Sequence, residues 1–415
     1  MRMVKTTKLN TFLSTLNFVL CFVGYQLATS LFLPVSSDIE GISRSVTVPY
    51  RVFALLISML VILLNYRKKV DKTPLALKVL WVYWIALIIR IFYDTNVRTD
   101  VHLTDTTQLW FYIFGIILPA MISVMLSYRV IDFNMALRWV YIGTVVTLVL
   151  SLFNNASLLM SADEISGRSG GNLALNTITF GHLGTTGIVL SLFFLSKGGV
   201  GLIKKMLIIT VMLLSFFIML RAGSRSPILA LAVIIIFWLF GRGKNIALGV
   251  SVTVLAVVLL FVFMDPILSF LGDISPIIES RLRASIYEGD SSGRDPLYIQ
   301  AYQGFLDKPL LGSQFALFDS FGGFGYSHNI ILDALMGLGL MGGIVMIYIL
   351  WIGIKYAYKL IKRKDPNFWI GLILIQQITL SMLSGALYYN QILNVILVFI
   401  FLYIQRNLSV KRGKI

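Results

Sequence analysis

Apolar runs long enough to cross a bilayer as helices recur about twelve times along the 415 residues. This recurrence limits the fold more than any motif does. The runs fall at roughly 11–33, 50–65, 75–92, 108–126, 137–154, 173–195, 203–220, 227–240, 246–264, 329–354, 368–386 and 391–405. A helix in hydrocarbon satisfies its own backbone groups, so such a chain predicts an all-α polytopic membrane protein of about 12 transmembrane helices. Composition agrees: 57% of residues are hydrophobic and 13% charged, against about 45–50% and about 25% in soluble domains. A cytosolic enzyme, a secreted disulfide scaffold and a disordered chain are excluded. The single cysteine, Cys21, lies in an apolar run and supports neither a disulfide framework nor a Cys-rich metal site. A short basic N-terminus precedes an apolar run of about 23 residues, longer than a signal-peptide core, and this reads as a retained first span. No internal repeat is evident, and residues 1–415 read as one integral membrane domain.

The net charge of +16 follows from topology. With the N-terminus inside, most Lys and Arg fall on one side of the spans, in clusters such as Arg67-Lys68-Lys69, Lys204-Lys205 and Lys362-Arg363-Lys364. This is the positive-inside pattern and not a nucleic-acid footprint, and it places both termini in the cytoplasm. The opposite side carries arginine almost alone: Arg44, Arg51, Arg90, Arg98, Arg168, Arg221, Arg225, Arg281, Arg283 and Arg294, with Lys308. A guanidinium never deprotonates and presents a planar fork to phosphate. The bias suggests an outer face that handles phosphate; pairing with outer acids such as Asp94, Glu279 and Asp295 is the structural alternative for each arginine. One outer connection, 265–327, is long and carries amphipathic stretches, so it is expected to be ordered and to contain short helices.

Four segments carry candidate chemistry. In Arg221-Ala222-Gly223-Ser224-Arg225-Ser226-Pro227, Ser226 is placed to cap the next helix and Pro227 suits its first position. Helix N-termini attract anions, so Arg221 and Arg225 beside one make a diphosphate seat. Ser292-Gly293-Arg294-Asp295-Pro296 repeats this pattern before a short amphipathic helix, with Asp295 as the expected cap. Tyr326-Ser327-His328-Asn329 precedes the tenth span, where the helix dipole is expected to disfavour imidazolium and leave His328 as a base. Arg168 opens a Gly-rich approach to the sixth span, and Arg90 ends the third, followed by Asp94 as either a functional ion or a local pair. His182 reads as a packing residue. A P-loop, a dinucleotide fingerprint and an HExxH zinc motif are all missing from the chain.

Together these motifs resemble those of the bacterial O-antigen polymerase and O-antigen ligase superfamily. The ligase-type signature reads here as His328-Asn329, nine residues, Gly339, two residues, Gly342. Ser292-Gly293-Arg294 leading to Lys308-Pro309-Leu310-Leu311-Gly312 resembles the family's preceding loop. Ser224-Arg225-Ser226 resembles its Ser-Arg motif, and Arg168 with its glycines also fits; the likeness covers roughly 165–345. The resemblance implies a lipid-diphosphate-dependent glycosyltransferase of the bacterial inner membrane with its site facing the periplasm. It implies catalytic roles for His328, Arg225 and Arg294, substrate binding by Arg221, Arg168, Arg90, Asn329 and Ser226, and no metal or other cofactor. Its partners would be undecaprenyl-diphosphate-linked oligosaccharide as donor and acceptor, membrane lipids and a chain-length regulator. A polymerase is favoured over a ligase, because ligases often carry Glu soon after the histidine and this chain has Ile330-Ile331-Leu332-Asp333. A lipid-linked oligosaccharide flippase is the rival from another class. It predicts binding groups at the midplane of related halves. A peptidoglycan glycosyltransferase, with Glu288 or Asp290 as catalytic acid, is the third reading.

Overall fold

A helix that carries an asparagine or glutamine through hydrocarbon must find that group a partner in a neighbouring helix. The computed structural model shows such clamps between its helices and describes residues 7–32, 40–67, 73–100, 103–104, 106–155, 170–171, 175–243, 255, 258–259, 262–320 and 322–412. The N-terminal half comprises α1 (Lys8–Phe32), α2 (Glu40–Asn65), α3 (Leu75–Val97), α4 (Thr106–Ser127), α5 (Phe133–Asn154) and α6 (Thr177–Ser196). In α1 the Asn10 amide exchanges hydrogen bonds with Asn65 of α2, at 3.0 and 2.9 Å. Asn17 bridges α1 to both neighbours, donating to Ser123 of α4 at 2.7 Å and accepting from Ser58 of α2 at 2.8 Å. Among the described residues three segments form π turns, Leu20–Gly24, Tyr93–Val97 and Phe111–Ile117.

The C-terminal half comprises α7 (Leu202–Arg221), α8 (Arg225–Arg242), α9 (Met264–Ile274), α10 (Pro276–Tyr287), α11 (Asp295–Asp307), α12 (Ile330–Lys362), α13 (Phe368–Leu383) and α14 (Gln391–Arg412). Gly184 of α6 sits so close to α7 that an added Cβ would lie 2.6 Å from the Ser215 carbonyl oxygen, the close approach that small residues allow. Trp84 of α3 donates to Asn394 of α14 at 2.9 Å, tying the two halves together. Among the described residues eight helices are long and apolar enough to cross a membrane, and three shorter apolar ones accompany them, Arg225–Gly241, Phe368–Leu383 and Gln391–Arg406. Apolar side chains such as Leu63, Ile203 and Met341 face outward, as lipid requires. The chain is an all-α, multi-pass membrane protein. The expected run 246–264 lies largely outside the described residues.

The long connection holds α9, α10, α11 and, beyond the short helices expected, a two-stranded hairpin of β1 (Leu317–Phe318) against β2 (Phe324–Gly325). Ala301 of α11, Leu317 of β1 and Met336 of α12 pack in one cluster, which seats this layer on the start of α12. The glycines of the histidine signature have a geometric cause. Gly339 breaks the helical backbone of α12 at φ 66°, ψ −160°, and an added Cβ would collide with the Leu310 carbonyl. The freed groups are used: Leu340 N–H donates to the Pro309 carbonyl at 2.7 Å, and Ser313 N–H to that of Met336 at 2.8 Å.

Candidate active site

Asn329 caps α12, its side chain accepting from the N–H groups of Ile331 and Leu332 at 3.0 and 3.2 Å. Asp333, one turn later, accepts from the Ser327 N–H at 2.8 Å and folds the approach back on itself. Between these two fixed points His328 takes φ 62°, a left-handed conformation that a non-glycine residue adopts only when its surroundings impose it. Its Nδ1 lies 3.3 Å from the Ser384 hydroxyl, and its ring packs against Tyr326 with centroids 4.6 Å apart. The imidazole pKa is lowered, first by burial and then by the positive charge of Arg294. That is the direction predicted from the sequence, with burial and a guanidinium as its causes where the helix dipole was expected.

Arg294 sits half-buried just before α11, and among the described residues no hydrogen bond or ion pair engages its side chain. Its field reaches both His328 and Tyr326. Arg225 is held by protein. It donates to the carbonyls of Arg281 and Asp290, both at 3.0 Å, to the Asp290 carboxylate at 3.3 Å and to the Ser292 hydroxyl. Arg281 also donates to Ser292, at 2.7 Å. The Ser-Arg motif thus grips the segment that leads into Arg294. Arg221 is buried at the end of α7, its guanidinium 5.3 Å from the Phe217 ring centroid.

Two capping expectations are corrected. Helix α8 starts at Arg225 after Ser224, so Ser226 lies within its first turn and does not cap it. Its hydroxyl instead faces His182 Nε2 at 3.2 Å, because the α7–α8 turn tucks it against α6. Likewise the residue before α11 is Arg294, and Asp295 falls in the first turn without a side-chain cap.

His328 and His182 line a common cavity of about 590 Å³. That volume is within the about 300–1,000 Å³ of small-molecule sites. Its polar wall includes neutral amides such as Gln108, Asn176, Gln376, Gln377 and Asn390, and tyrosines such as Tyr25, Tyr112, Tyr326 and Tyr389; among the described residues its one charged side chain besides the histidines is Arg51. Thr186 and Gln376 tie α6 to α13: Gln376 accepts from the Thr186 hydroxyl at 3.1 Å and donates to the His182 carbonyl at 2.7 Å.

The structure therefore places His328, next to the capping Asn329, within the field of the Arg294 charge, and links Arg225 to Arg294 through the intervening chain. Arg90 is placed elsewhere: it binds Asp94 at 2.9 Å and the Gly312 carbonyl at 3.1 Å, supporting the loop from behind. Arg168 lies outside the described residues. Sequence reasoning passed over the cavity's amides and Ser384. Paired glutamines in an apolar span, Gln376-Gln377, were the available signal, since a polar group in hydrocarbon needs a reason.

Residues 210–347 match the family model described as O-antigen ligase. No curated protein matches the chain. The matched stretch contains Arg221, Arg225, Ser226, Arg294, His328 and Asn329, and over it the chain is similar to the O-antigen ligase family.

Proposed function

We propose that this protein is a metal-independent glycosyltransferase of the bacterial inner membrane, an O-antigen polymerase working at the periplasmic face. It takes the growing glycan from undecaprenyl diphosphate and passes it to the non-reducing end of the next lipid-linked repeat unit. His328 accepts the proton of the attacking hydroxyl. The oxygen's electron pair then forms the bond to the anomeric carbon, while the bond from that carbon to the phosphate oxygen breaks and its electrons leave with the lipid diphosphate. With Nδ1 toward Ser384, Nε2 is the nitrogen for that proton. Arg294 meets the charge that develops on the diphosphate, and a fixed cation aimed at developing charge usually lowers such a barrier more than any other single effect. Arg225 holds the segment from which Arg294 projects, Arg221, Arg168, Asn329 and Ser226 complete the binding region, and Arg90 supports the loop through Asp94 and the Gly312 carbonyl. The observation that carries this reading is a half-buried His328, held at φ 62° on the wall of a cavity of substrate size, with the Arg294 charge disfavouring its imidazolium.

Polymerase is preferred to ligase because Asp333, the residue able to replace the ligases' glutamate, is buried and occupied by the Ser327 backbone. A flippase would carry charge through a central cavity; here, among the described residues and apart from the two histidines, Arg51 alone brings an ionisable charge to a largely neutral lining. The test is complementation of a deletion strain with His328→Ala or Arg294→Ala. A polymerase defect leaves single repeat units capped on lipid A-core. Long chains stranded on the lipid carrier would instead indicate the ligase, and normal long chains from both variants would defeat the site assignment.

A further inference from the structure

Arg51 stands at one end of an unbroken series of aromatic rings that begins at His328. Centroids lie 4.6 Å apart from His328 to Tyr326, 6.4 Å from Tyr326 to Tyr389 and 5.2 Å from Tyr389 to Tyr112. The Arg51 guanidinium carbon is then 4.6 Å from the Tyr112 centroid and 5.8 Å from that of Tyr25, and Nη2 donates to the Tyr112 hydroxyl at 2.6 Å. No carboxylate among the described residues pairs with it. Ring faces and phenols offset part of a cation's desolvation, but a guanidinium in a cavity without a counter-charge attracts one.

The rest of the cavity suits a sugar. A pyranose has an apolar C–H face and a rim of hydroxyls; aromatic faces take the first and amides the second. Two π turns build this wall, Leu20–Gly24 beside Tyr25 and Phe111–Ile117 carrying Tyr112. Such turns are rare, and they recur at functional sites. A neutral sugar needs no cation, so Arg51 has a separate reason to be there. A single guanidinium matches a single negative charge, and its fork fits a carboxylate in two-point contact. A diphosphate carries more charge than one arginine balances.

We propose that this cavity is the acceptor-sugar subsite and that Arg51 selects an acidic sugar, a hexuronate-type unit, whose ring lies along the tyrosine wall. The inference rests on the glycosyltransferase reading above, because His328 must reach the attacking hydroxyl of that unit. Arg51 is a specificity residue, distant from the bond that breaks.

The experiment uses the full-length protein in lipid nanodiscs and measures binding of cellobiuronic acid, neutral cellobiose and inorganic pyrophosphate by calorimetry. Wild type is expected to prefer cellobiuronic acid to cellobiose. Arg51→Gln removes a charge-assisted contact and is expected to weaken cellobiuronic acid binding about 10-fold while leaving cellobiose within about twofold. Arg51→Lys, which keeps the charge, recovers part of the preference. Tyr112→Phe, which keeps the ring and loses one hydrogen bond, gives an intermediate loss if Arg51→Gln fails to fold. Equal binding of both sugars by wild type, or equal losses in the variant, overturns the proposal. So does pyrophosphate outcompeting the uronate through Arg51. His328→Ala separates the two readings: if it still transfers glycan in cells, the catalytic assignment falls while the binding preference stands.

Discussion

The Arg225 guanidinium donates to the Asp290 backbone carbonyl at 3.0 Å and to the same residue's carboxylate at 3.3 Å. The carboxylate is 43% exposed, so the ion pair itself contributes about 0–1 kcal/mol. The weight lies in the carbonyls of Asp290 and Arg281 and in Ser292, which would lose their donor together. Asp290→Asn is therefore expected to lower glycan transfer less than about threefold. Arg225→Ala loses at least two charge-assisted bonds at about 1.5–3 kcal/mol each, and transfer is expected to fall about 100-fold or more. Limited proteolysis should show the 288–294 segment cut faster in Arg225→Ala. Equal activities for the two variants would show that Arg225 acts through its ion pair alone.

Gly339 gives a stability prediction. Alanine there must hold φ 66° and push its Cβ into the Leu310 carbonyl. The backbone strain costs about 1–3 kcal/mol before the clash is counted. Gly339→Ala is expected to melt several degrees lower in detergent, with Leu310–Gly312 displaced from α12. An unchanged melting temperature would show that the break in α12 is not needed to seat this loop.

The spans were legible because hydrocarbon length writes itself into apolar runs, and the histidine signature because its glycines answer a local backbone demand. The cavity was not legible. Arg51 and Tyr112 are 61 positions apart, and Trp84 and Asn394 310 apart, so their meeting depends on how the helices pack. Nothing in Phe111–Ile117 distinguishes a π turn from an ordinary helical one by residue type. Ser226 misled for a related reason. Serine before proline is a fair capping signal, but the tight α7–α8 turn starts the helix two residues earlier and gives the hydroxyl to His182. The long connection reads as ordered from its amphipathic stretches, while its hairpin, with strands of two residues each, is too short to carry an alternation pattern.

Asp94 is 1% exposed and accepts from Arg90 at 2.9 Å and from the Phe315 N–H at 2.7 Å, with Arg98 at 3.6 Å. It fastens the end of α3 to the chain entering the hairpin. Asp94→Ala leaves the mostly buried Arg90 without its carboxylate, a loss of about 3–5 kcal/mol for a buried pair. The expected result is poor recovery of monodisperse protein in size-exclusion chromatography. Arg90→Ala should be milder, because Asp94 keeps Phe315 and Arg98. Wild-type melting behaviour for Asp94→Ala would remove this junction from the account of what positions the loop.

The pH profile tests the link between Arg294 and His328. Burial and the Arg294 charge both disfavour the imidazolium, so His328 stays neutral below the ordinary histidine pKa of about 6.5. A base must be neutral to accept a proton, so kcat/KM in wild type should hold as pH falls through that value and decline only below it. Replacing Arg294 with Gln removes a positive charge. The imidazolium is then less disfavoured, the pKa rises, and the acid limb moves to higher pH. The rate at the plateau falls as well, since the diphosphate loses its cation, but the displacement of the limb is independent of that loss. An acid limb at the same pH in both enzymes, or one displaced downward in the variant, would separate the two residues and leave His328 without its electrostatic partner.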